Sequence, residues 1–205
     1  DSYFATVWGN DNFPDLYVGR FPAQDRSQMR IMVEKTIRYI KTPQRGFWRD
    51  NMLLLGGGEA EFSRFNEESI REIIRQKMNI TRIEADSGSR FYKDGSTASK
   101  MIADRINAGV FLINFNGHGG GNIWSDNNFF GYKDLSRLYN GQWGKSGHLP
   151  LVFSFTCLTG FFESVFYRSL GEEFLRNSPH GCIGFYGASA YTSLRGNLIM
   201  NKIML

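Results

Sequence analysis

The sequence predicts an α/β protein with a mainly parallel sheet and helices on both faces. Short, almost wholly apolar runs alternate with segments whose apolar residues recur at helical spacing through most of the 205 residues. Two apolar runs, which begin at Val110 and Leu149, lack the polar alternation of a half-exposed strand and are therefore expected to be buried on both faces. No internal repeat or low-complexity linker interrupts the pattern, so residues 1–205 are expected to form one domain.

The individual elements follow from apolar periodicity and from the turn residues that bound each run. Ser96 is the expected N-cap of one helix, and Gly109 is the residue expected just beyond its end. Strands are predicted at 15–20, 51–55, 80–85, 110–117, 149–156 and 181–186. Helices are predicted at 24–41, 66–78, 96–108, 133–139 and 168–176 and from 195 onward, with loops at 117–131, 158–166 and 187–193.

Two helices have a predicted buried face. In the helix 24–41, an apolar stripe is expected to face the core, and the charged side chains, Lys35 among them, are expected to face solvent. The helix 66–78 has a second stripe. The first stripe consists of Met29, Val33, Ile37 and Ile40, and the second of Ile70, Ile73, Ile74 and Met78.

Composition excludes several classes of protein. The net charge is +4, but the 24 Lys and Arg residues are scattered and interspersed with Glu, so no nucleic-acid surface is predicted. No apolar run approaches the ~18 residues of a membrane-spanning helix. Two cysteines are too few for a disulfide framework, and Cys182 lies in a strand-like run where a buried, inert thiol is expected. Because the chain begins with Asp1, it is expected to be a piece of a longer protein with other domains.

Reactive side chains follow the two apolar runs at Val110 and Leu149. His118 lies in Asn-Gly-His-Gly-Gly-Gly, and Cys157 is followed by Leu-Thr-Gly. In a parallel sheet, chemistry is found beyond the carboxyl ends of the strands, so neighbouring strands would bring this imidazole and this thiol together. A base beside a thiol predicts a cysteine peptidase, with the backbone N–H groups of Gly119 and Cys157 as oxyanion donors.

Three carboxylates are candidates for orienting His118. Glu59 and Glu61 follow a predicted strand end at the same edge of the sheet, and Asp126 is the third. Asp126 is also, with Asn127 and Asn128, a candidate for a turn or a weak calcium site. The other two histidines, His148 and His180, stand beside prolines and are expected on the surface.

Two segments are partial matches to motifs of other protein classes. The run Gly56–Gly58 lacks the Lys-Ser/Thr of a phosphate-binding P-loop and the spacing of a dinucleotide fingerprint. The segment His118–Gly121 is similar to the HGGG oxyanion segment of lipases, but that interpretation requires a GxSxG motif further along the chain. The segment around Ser189 lacks the final glycine of that motif.

Four stretches of the chain together resemble the gingipain family of cysteine peptidases, which are relatives of caspases and legumain in fold. The stretches span nearly the whole chain, and the order of the reactive residues, His before Cys, also matches. They are Pro14–Ala23, Asn114–Gly119, Phe153–Cys157 with Gly160-Phe-Phe, and Ala188–Ser193 leading to Arg195-Gly196.

The resemblance implies a caspase-like three-layer α/β/α sandwich and a catalytic dyad of Cys157 and His118. It also implies a polypeptide substrate, secretion or a cell-surface location, no required cofactor, and calcium binding in some members. Cleavage after basic P1 residues is implied by analogy alone, because no acidic P1-pocket residue can be placed by motif. A wall of the P1 pocket is implied at Ala188, Ser189, Ala190, Tyr191, Thr192 and Ser193.

Two alternatives to hydrolysis stay open. A sortase or transpeptidase would form the same thioacyl intermediate and resolve it with an amine instead of water. A non-catalytic binding module would keep the fold without the reaction. The sequence does not distinguish these outcomes.

Overall fold

The computed structural model describes every residue except 1, 74–77, 87, 90, 92–93, 127, 143, 145 and 165. The side chains of residues 2 and 71–73 are also outside the description, so the predictions that rest on Ile73, Ile74 and Asn127 cannot be followed there. The helices are α1 (Ser2–Ala5), α2 (Arg26–Lys41), α3 (Ala60–Ile73), α4 (Gly95–Ala108), α5 (Leu170–Arg176) and α6 (Leu194–Met204), with 3-10 helices at Phe47–Asp50 and Tyr132–Arg137. The strands are β1 (Asn51–Gly57), β2 (Asn79–Ala85), β3 (Leu112–Gly117), β4 (Gly119–Gly120), β5 (Ile123–Trp124), β6 (Phe130–Gly131), β7 (Leu151–Phe155) and β8 (Gly184–Gly187).

Five strands form one parallel sheet in the order β2-β1-β3-β7-β8. Alternate residues of β1 separate its two faces: Leu53 and Leu55 join the larger core, and Met52 and Leu54 join the smaller one. Helices α4 and α5 cover the larger core, and α3 and α6 cover the other face. The predicted three-layer α/β/α sandwich with a parallel sheet is therefore confirmed.

Several predicted boundaries are wrong. Residues 15–20 form no strand; Tyr17 is fully exposed and Leu16 is half exposed, so the segment buries no face that would select strand pairing. Helix α3 begins at Ala60 instead of 66, because the buried face of its first turns consists of Phe62 and Asn66, which the Ile stripe did not reveal. Helix α4 is capped by Asp94, whose carboxylate accepts from the N–H of Thr97, and not by Ser96.

Helix α2 presents a different face to the protein from the one predicted. Its buried residues are Met32 and Lys35, and the outward Ile40 is 70% exposed. The Lys35 ammonium donates to the carbonyl oxygen of Leu175, in the last turn of α5, at 2.7 Å and to that of His180, just beyond the helix, at 3.2 Å. Lys35 is therefore buried because it satisfies carbonyl groups left without partners at a helix end, a tertiary role that periodicity does not reveal.

The predicted loop 117–131 also contains structure. Strands β4, β5 and β6 form a small antiparallel sheet directly after β3. Trp124 anchors it: the indole stacks on Phe115 with ring centroids 5.0 Å apart and donates from Nε1 to Ser154 Oγ at 2.8 Å. The segment that follows His118 is thereby fixed to the core by a buried aromatic side chain.

Candidate active site

His118 and Cys157 follow neighbouring strands. Strands β3 and β7 pair in parallel, and the last matched pair is Asn116 with Phe155. His118 and Cys157 each follow within two residues of that pair, so both lie beyond the carboxyl ends of neighbouring strands. The predicted adjacency of these two strands is confirmed.

Cys157 lies against the loop 188–193. Its half-buried thiol accepts a hydrogen bond from the Thr192 N–H at 3.4 Å, and Sγ is 3.7 Å from Thr192 O and 3.6 Å from Thr192 Oγ1. Within the part of the chain that the structure describes, no hydrogen bond joins Sγ to His118. The direct contact with Thr192 was not evident from the sequence, because it depends on where β8 places this loop.

The backbone after Cys157 is tied to the same loop. The N–H of Leu158 donates to Ala190 O at 3.2 Å, and the N–H of Gly160 donates to Ala188 O at 2.9 Å. Leu158 has a φ of 62°, a left-handed conformation that is uncommon for a branched apolar residue. The turn after Cys157 and the loop 188–193 therefore form one hydrogen-bonded unit.

Glu59 is the carboxylate that contacts His118. Its Oε1 lies 3.3 Å from His118 Nε2, and the edge of the ring packs on Phe62 with centroids 5.3 Å apart. Among the described residues, Glu61 and Asp126 form no hydrogen bond or ion pair with the imidazole. The Nδ1 atom of His118 likewise has no hydrogen-bond partner among them, so it is the ring nitrogen left available.

The glycine run at the end of β1 allows this arrangement. Gly58 has a φ of 106°, and a Cβ there would lie 3.2 Å from His118 Cδ2. The strand β1 was predicted to end at Leu55, but it continues through Gly57. The glycines thus serve a close approach between β1 and His118.

Gly119 presents its N–H on the side away from β5. The N–H of Ser125 donates to His118 O at 2.8 Å, and Gly119 is paired with Trp124. Hydrogen-bonded and non-hydrogen-bonded pairs alternate in an antiparallel ladder, so the Gly119 pair is a non-hydrogen-bonded one. A Cβ on Gly119 would lie 2.6 Å from Thr156 Oγ1, which places this glycine against the residue before Cys157.

A cavity of about 520 Å³ opens beside the loop 188–193, between the end of β7 and the start of α6. We call it the β7–α6 pocket. Helix α6 is capped by Ser193, whose hydroxyl accepts from the Gly196 N–H, and Asn197 Nδ2 donates to Thr192 Oγ1 at 2.9 Å. Residues lining the pocket include Phe155, Tyr186, Ala188, Thr192, Asn197 and Met200.

A buried chain of amides supports β3 beneath the site. Asn116 Nδ2 donates to Asn66 Oδ1 at 2.8 Å, and Asn201 Nδ2 donates to Asn116 Oδ1 at 2.7 Å. All three side chains are almost completely buried. The chain of amides links α3, β3 and α6 two residues before His118. Periodicity does not reveal it, because each asparagine occupies a position expected to be apolar or exposed.

The other titratable groups lie away from these residues. Cys182 is fully buried, as predicted, and burial raises the pKa of its thiol to about 12. The two remaining histidines are half-buried instead of surface residues, and burial lowers the pKa of each. His148 packs on Trp48, and His180 Nδ1 accepts from the Gly141 N–H, so both have structural contacts.

No metal centre is evident in the part of the chain that is described. There, no three His, Cys, Asp or Glu side chains are grouped closely enough to hold an ion. Asp126 is exposed, and its carbonyl oxygen accepts from the Phe129 N–H within a turn.

Comparisons with known proteins identify relatives of this chain. The sequence model of peptidase family C25 matches residues 1–205. Gingipain R2 of Porphyromonas gingivalis is 25% identical over 216 residues, covering 100% of this chain and 28% of that protein. Gingipain R1 of the same organism is also 25% identical, and the chain spans 21% of it.

Solved structures give the same fold. The crystal structure of the Arg-specific cysteine proteinase gingipain R superposes with a TM-score of 0.77 at 21% identity, covering 100% of this chain and 48% of that one. A complex of gingipain pro- and mature domains from Porphyromonas gingivalis gives 0.76 at 21% identity, with 49% of that chain covered. The chain thus spans about half of the solved chains and less than a third of the curated relatives. Because the family match covers every residue, this chain belongs to peptidase family C25.

Proposed function

We propose that this chain is the catalytic domain of a cysteine endopeptidase in which Cys157 is the nucleophile and His118 the base. The observation that carries the proposal is the position of the two side chains after adjacent parallel strands. Membership of a peptidase family supports a polypeptide substrate.

The arrangement defines a role for each group. With Nε2 of His118 facing Glu59, Nδ1 accepts the thiol proton as Sγ attacks the scissile carbonyl carbon. Cys157 Sγ and His118, both among the described residues, form no hydrogen bond here, which is compatible with His118 as the base, since catalytic hydrogen bonds are often loose before substrate binds. Glu59 orients the ring as a third member of the site.

The oxyanion receives two backbone donors. The N–H of Gly119 faces away from β5, and the N–H of Cys157 has no acceptor within the described residues. Collapse of the tetrahedral intermediate breaks the C–N bond, and the proton held by His118 goes to the leaving amine. Water then attacks the thioester carbon and gives a proton to His118. The C–S bond breaks to release the acid, and His118 returns the proton to Sγ.

The two cysteines provide a matched test. Cleavage of a fluorogenic peptide library should fall by roughly a thousandfold or more in Cys157→Ala and in His118→Ala. Cys182→Ala removes the buried thiol, which has no part in the proposed reaction. The cleavage rate of this variant should therefore stay close to that of the parent protein. Equal loss in both cysteine variants, or no loss in Cys157→Ala, would contradict the proposal.

Transpeptidation is tested in the same assay by adding an amine acceptor. A ligated product in place of the free acid would identify a sortase-type reaction through the same thioester. Absence of any Cys157-dependent product would favour a binding module.

Calcium dependence and location are separate proposals that rest on the family resemblance. Calcium should leave the rate unchanged if the domain needs no ion, and a chelator titration of the purified protein measures this. Secretion or a cell-surface location would be measured by fractionating the source cells. Among the described residues, no helix is long and apolar enough to cross a membrane.

A further inference from the structure

The β7–α6 pocket adjoins Cys157 through a shared residue, Thr192. Thr192 lines the pocket and also holds Cys157 Sγ through its N–H at 3.4 Å. A substrate whose carbonyl carbon is within reach of Sγ therefore places the side chain on its acyl side, P1, at the mouth of this pocket. The pocket is large enough for any natural side chain, so its chemistry, and not its volume, sets the preference.

The floor of the pocket is apolar. Phe155 is almost completely buried, and its ring lies 5.7 Å from that of Tyr186. Met200 of α6 closes the far side with 40% of its surface exposed. An apolar side chain entering here would remove the exposed surface of Tyr186 and Met200 from water together with its own, which is favourable.

None of the described residues that line this pocket is Asp or Glu. At the same edge of the sheet, the Glu59 carboxylate is engaged with His118. A guanidinium or ammonium group buried in this pocket would lose hydration without gaining a counter-ion, which costs free energy.

The start of α6 adds an unfavourable potential for cations. Gly196 and Asn197, in its first turn, line the pocket, and that turn contains Arg195 and no acidic residue. The N-terminal end of a helix carries partial positive charge, so the helix and Arg195 act in the same direction. Both discriminate against a basic side chain.

We infer that the β7–α6 pocket takes an uncharged apolar or aromatic P1 side chain and disfavours Arg and Lys. The inference rests on the proposed function and specifies its substrate class. It differs from the basic P1 residue that the family resemblance implies and from the Arg specificity in the description of the solved relative. Met200 and Tyr186 are the residues that set this preference.

The direct test uses peptidyl acyloxymethyl ketones that differ only at P1, with Phe, Leu, Arg or Lys. In the reaction, Sγ displaces the carboxylate and forms a thioether, so mass spectrometry of the modified peptide measures labelling of Cys157 without requiring turnover. The Phe and Leu reagents should label Cys157 at least about tenfold faster than the Arg and Lys reagents.

A charge-introducing pair of variants tests the pocket itself. Met200→Glu places a carboxylate at the apolar wall and should shift the Phe-to-Arg labelling ratio towards Arg by about tenfold or more. Ile199→Glu adds the same charge to the neighbouring position of α6, where the side chain is 51% exposed and does not line the pocket. That control should keep the parent ratio.

The outcomes separate the two levels of the account. Faster labelling by the Arg reagent, or equal rates, would overturn the P1 inference and leave the peptidase proposal standing. A ratio that shifts equally in both glutamate variants would remove the pocket as the cause. Labelling of Cys157 no faster than by a P1-free alkylating reagent would overturn both the inference and the proposed function.

Discussion

Glu59 Oε1 lies 3.3 Å from His118 Nε2, and both side chains are more than 60% exposed. An ion pair this exposed contributes little to stability, because water screens it. Its consequence is geometric: the contact holds the imidazole by one nitrogen and leaves the other nitrogen available. In the proposed mechanism, Glu59 should therefore affect the reaction much more than it affects folding.

Glu59→Gln should lower kcat by about tenfold or more, with a smaller change in KM and an unchanged melting temperature, because the amide holds the ring less firmly. Steady-state kinetics and thermal unfolding of the same preparation measure both quantities. Glu61→Gln, two residues along the chain and exposed, is the matched control and should keep the parent kcat. A fall in kcat of similar size in both variants would show that the effect comes from negative charge at this edge of the sheet and not from the contact between Glu59 and His118.

Thr192→Val should reduce kcat/KM several-fold. The substitution keeps the shape and the N–H to Sγ, and it removes the hydroxyl that lies 3.6 Å from Sγ and accepts from Asn197. The loop 188–193 would then lose its link to α6 and position the thiol less well. Thr81→Val, in β2, is the control for the same chemical change. An unaltered kcat/KM in Thr192→Val would show that the loop is held by its backbone bonds alone.

Asn201→Leu should destabilise the protein by about 1–3 kcal/mol, since Asn116 Oδ1 would remain buried without its donor. Urea unfolding would measure the change. Lys202→Leu, at the next and exposed position of α6, should have a small effect. If the two variants unfolded at the same urea concentration, the buried amide chain would have no structural importance.

Lys35→Met tests the buried ammonium through pH. Burial lowers the pKa of Lys35 from 10.5 to about 8 in the folded protein. Below pH 8 both states are protonated and the cost of burying the charge is constant. Between pH 8 and 10.5 the unfolded state binds more protons, so the parent protein should gain stability relative to Lys35→Met, by at most about 3 kcal/mol.

Urea unfolding of both proteins at pH 7.5 and pH 10 measures this difference. Lys202→Met, whose lysine is exposed, should show no such change relative to the parent. If the parent and Lys35→Met differed in stability by the same amount at both pH values, that result would contradict a lowered pKa of Lys35 in the folded protein.

The parts of the fold that sequence predicted well are those governed by burial on both faces of a strand. The apolar runs before His118 and Cys157 form β3 and β7, which pair in parallel. Cys182 was likewise expected to be buried because its neighbours are apolar, and it is. In these cases the local pattern and the tertiary environment agree.

The errors arise where a polar side chain is buried by a distant partner. Lys35 meets carbonyl groups 140 and 145 residues away, and Asn116 meets Asn201, 85 residues away. Periodicity assigned Lys35 to the surface and gave no sign of the Asn116–Asn201 contact, because it contains no information on the partners of a side chain. The choice of Glu59 over Glu61 had the same limitation, since it depends on how the glycine turn after β1 approaches His118.

The most direct test of the central claim is to trap the covalent intermediate. An acid quench during turnover of a peptide ester, followed by mass spectrometry, should detect the acyl group on Cys157 in the parent protein. His118→Ala should accumulate far less of it, since the thiol loses its base. Turnover with the acyl group on Ser189, or with no acyl-enzyme on Cys157 at any quench time, would contradict the account.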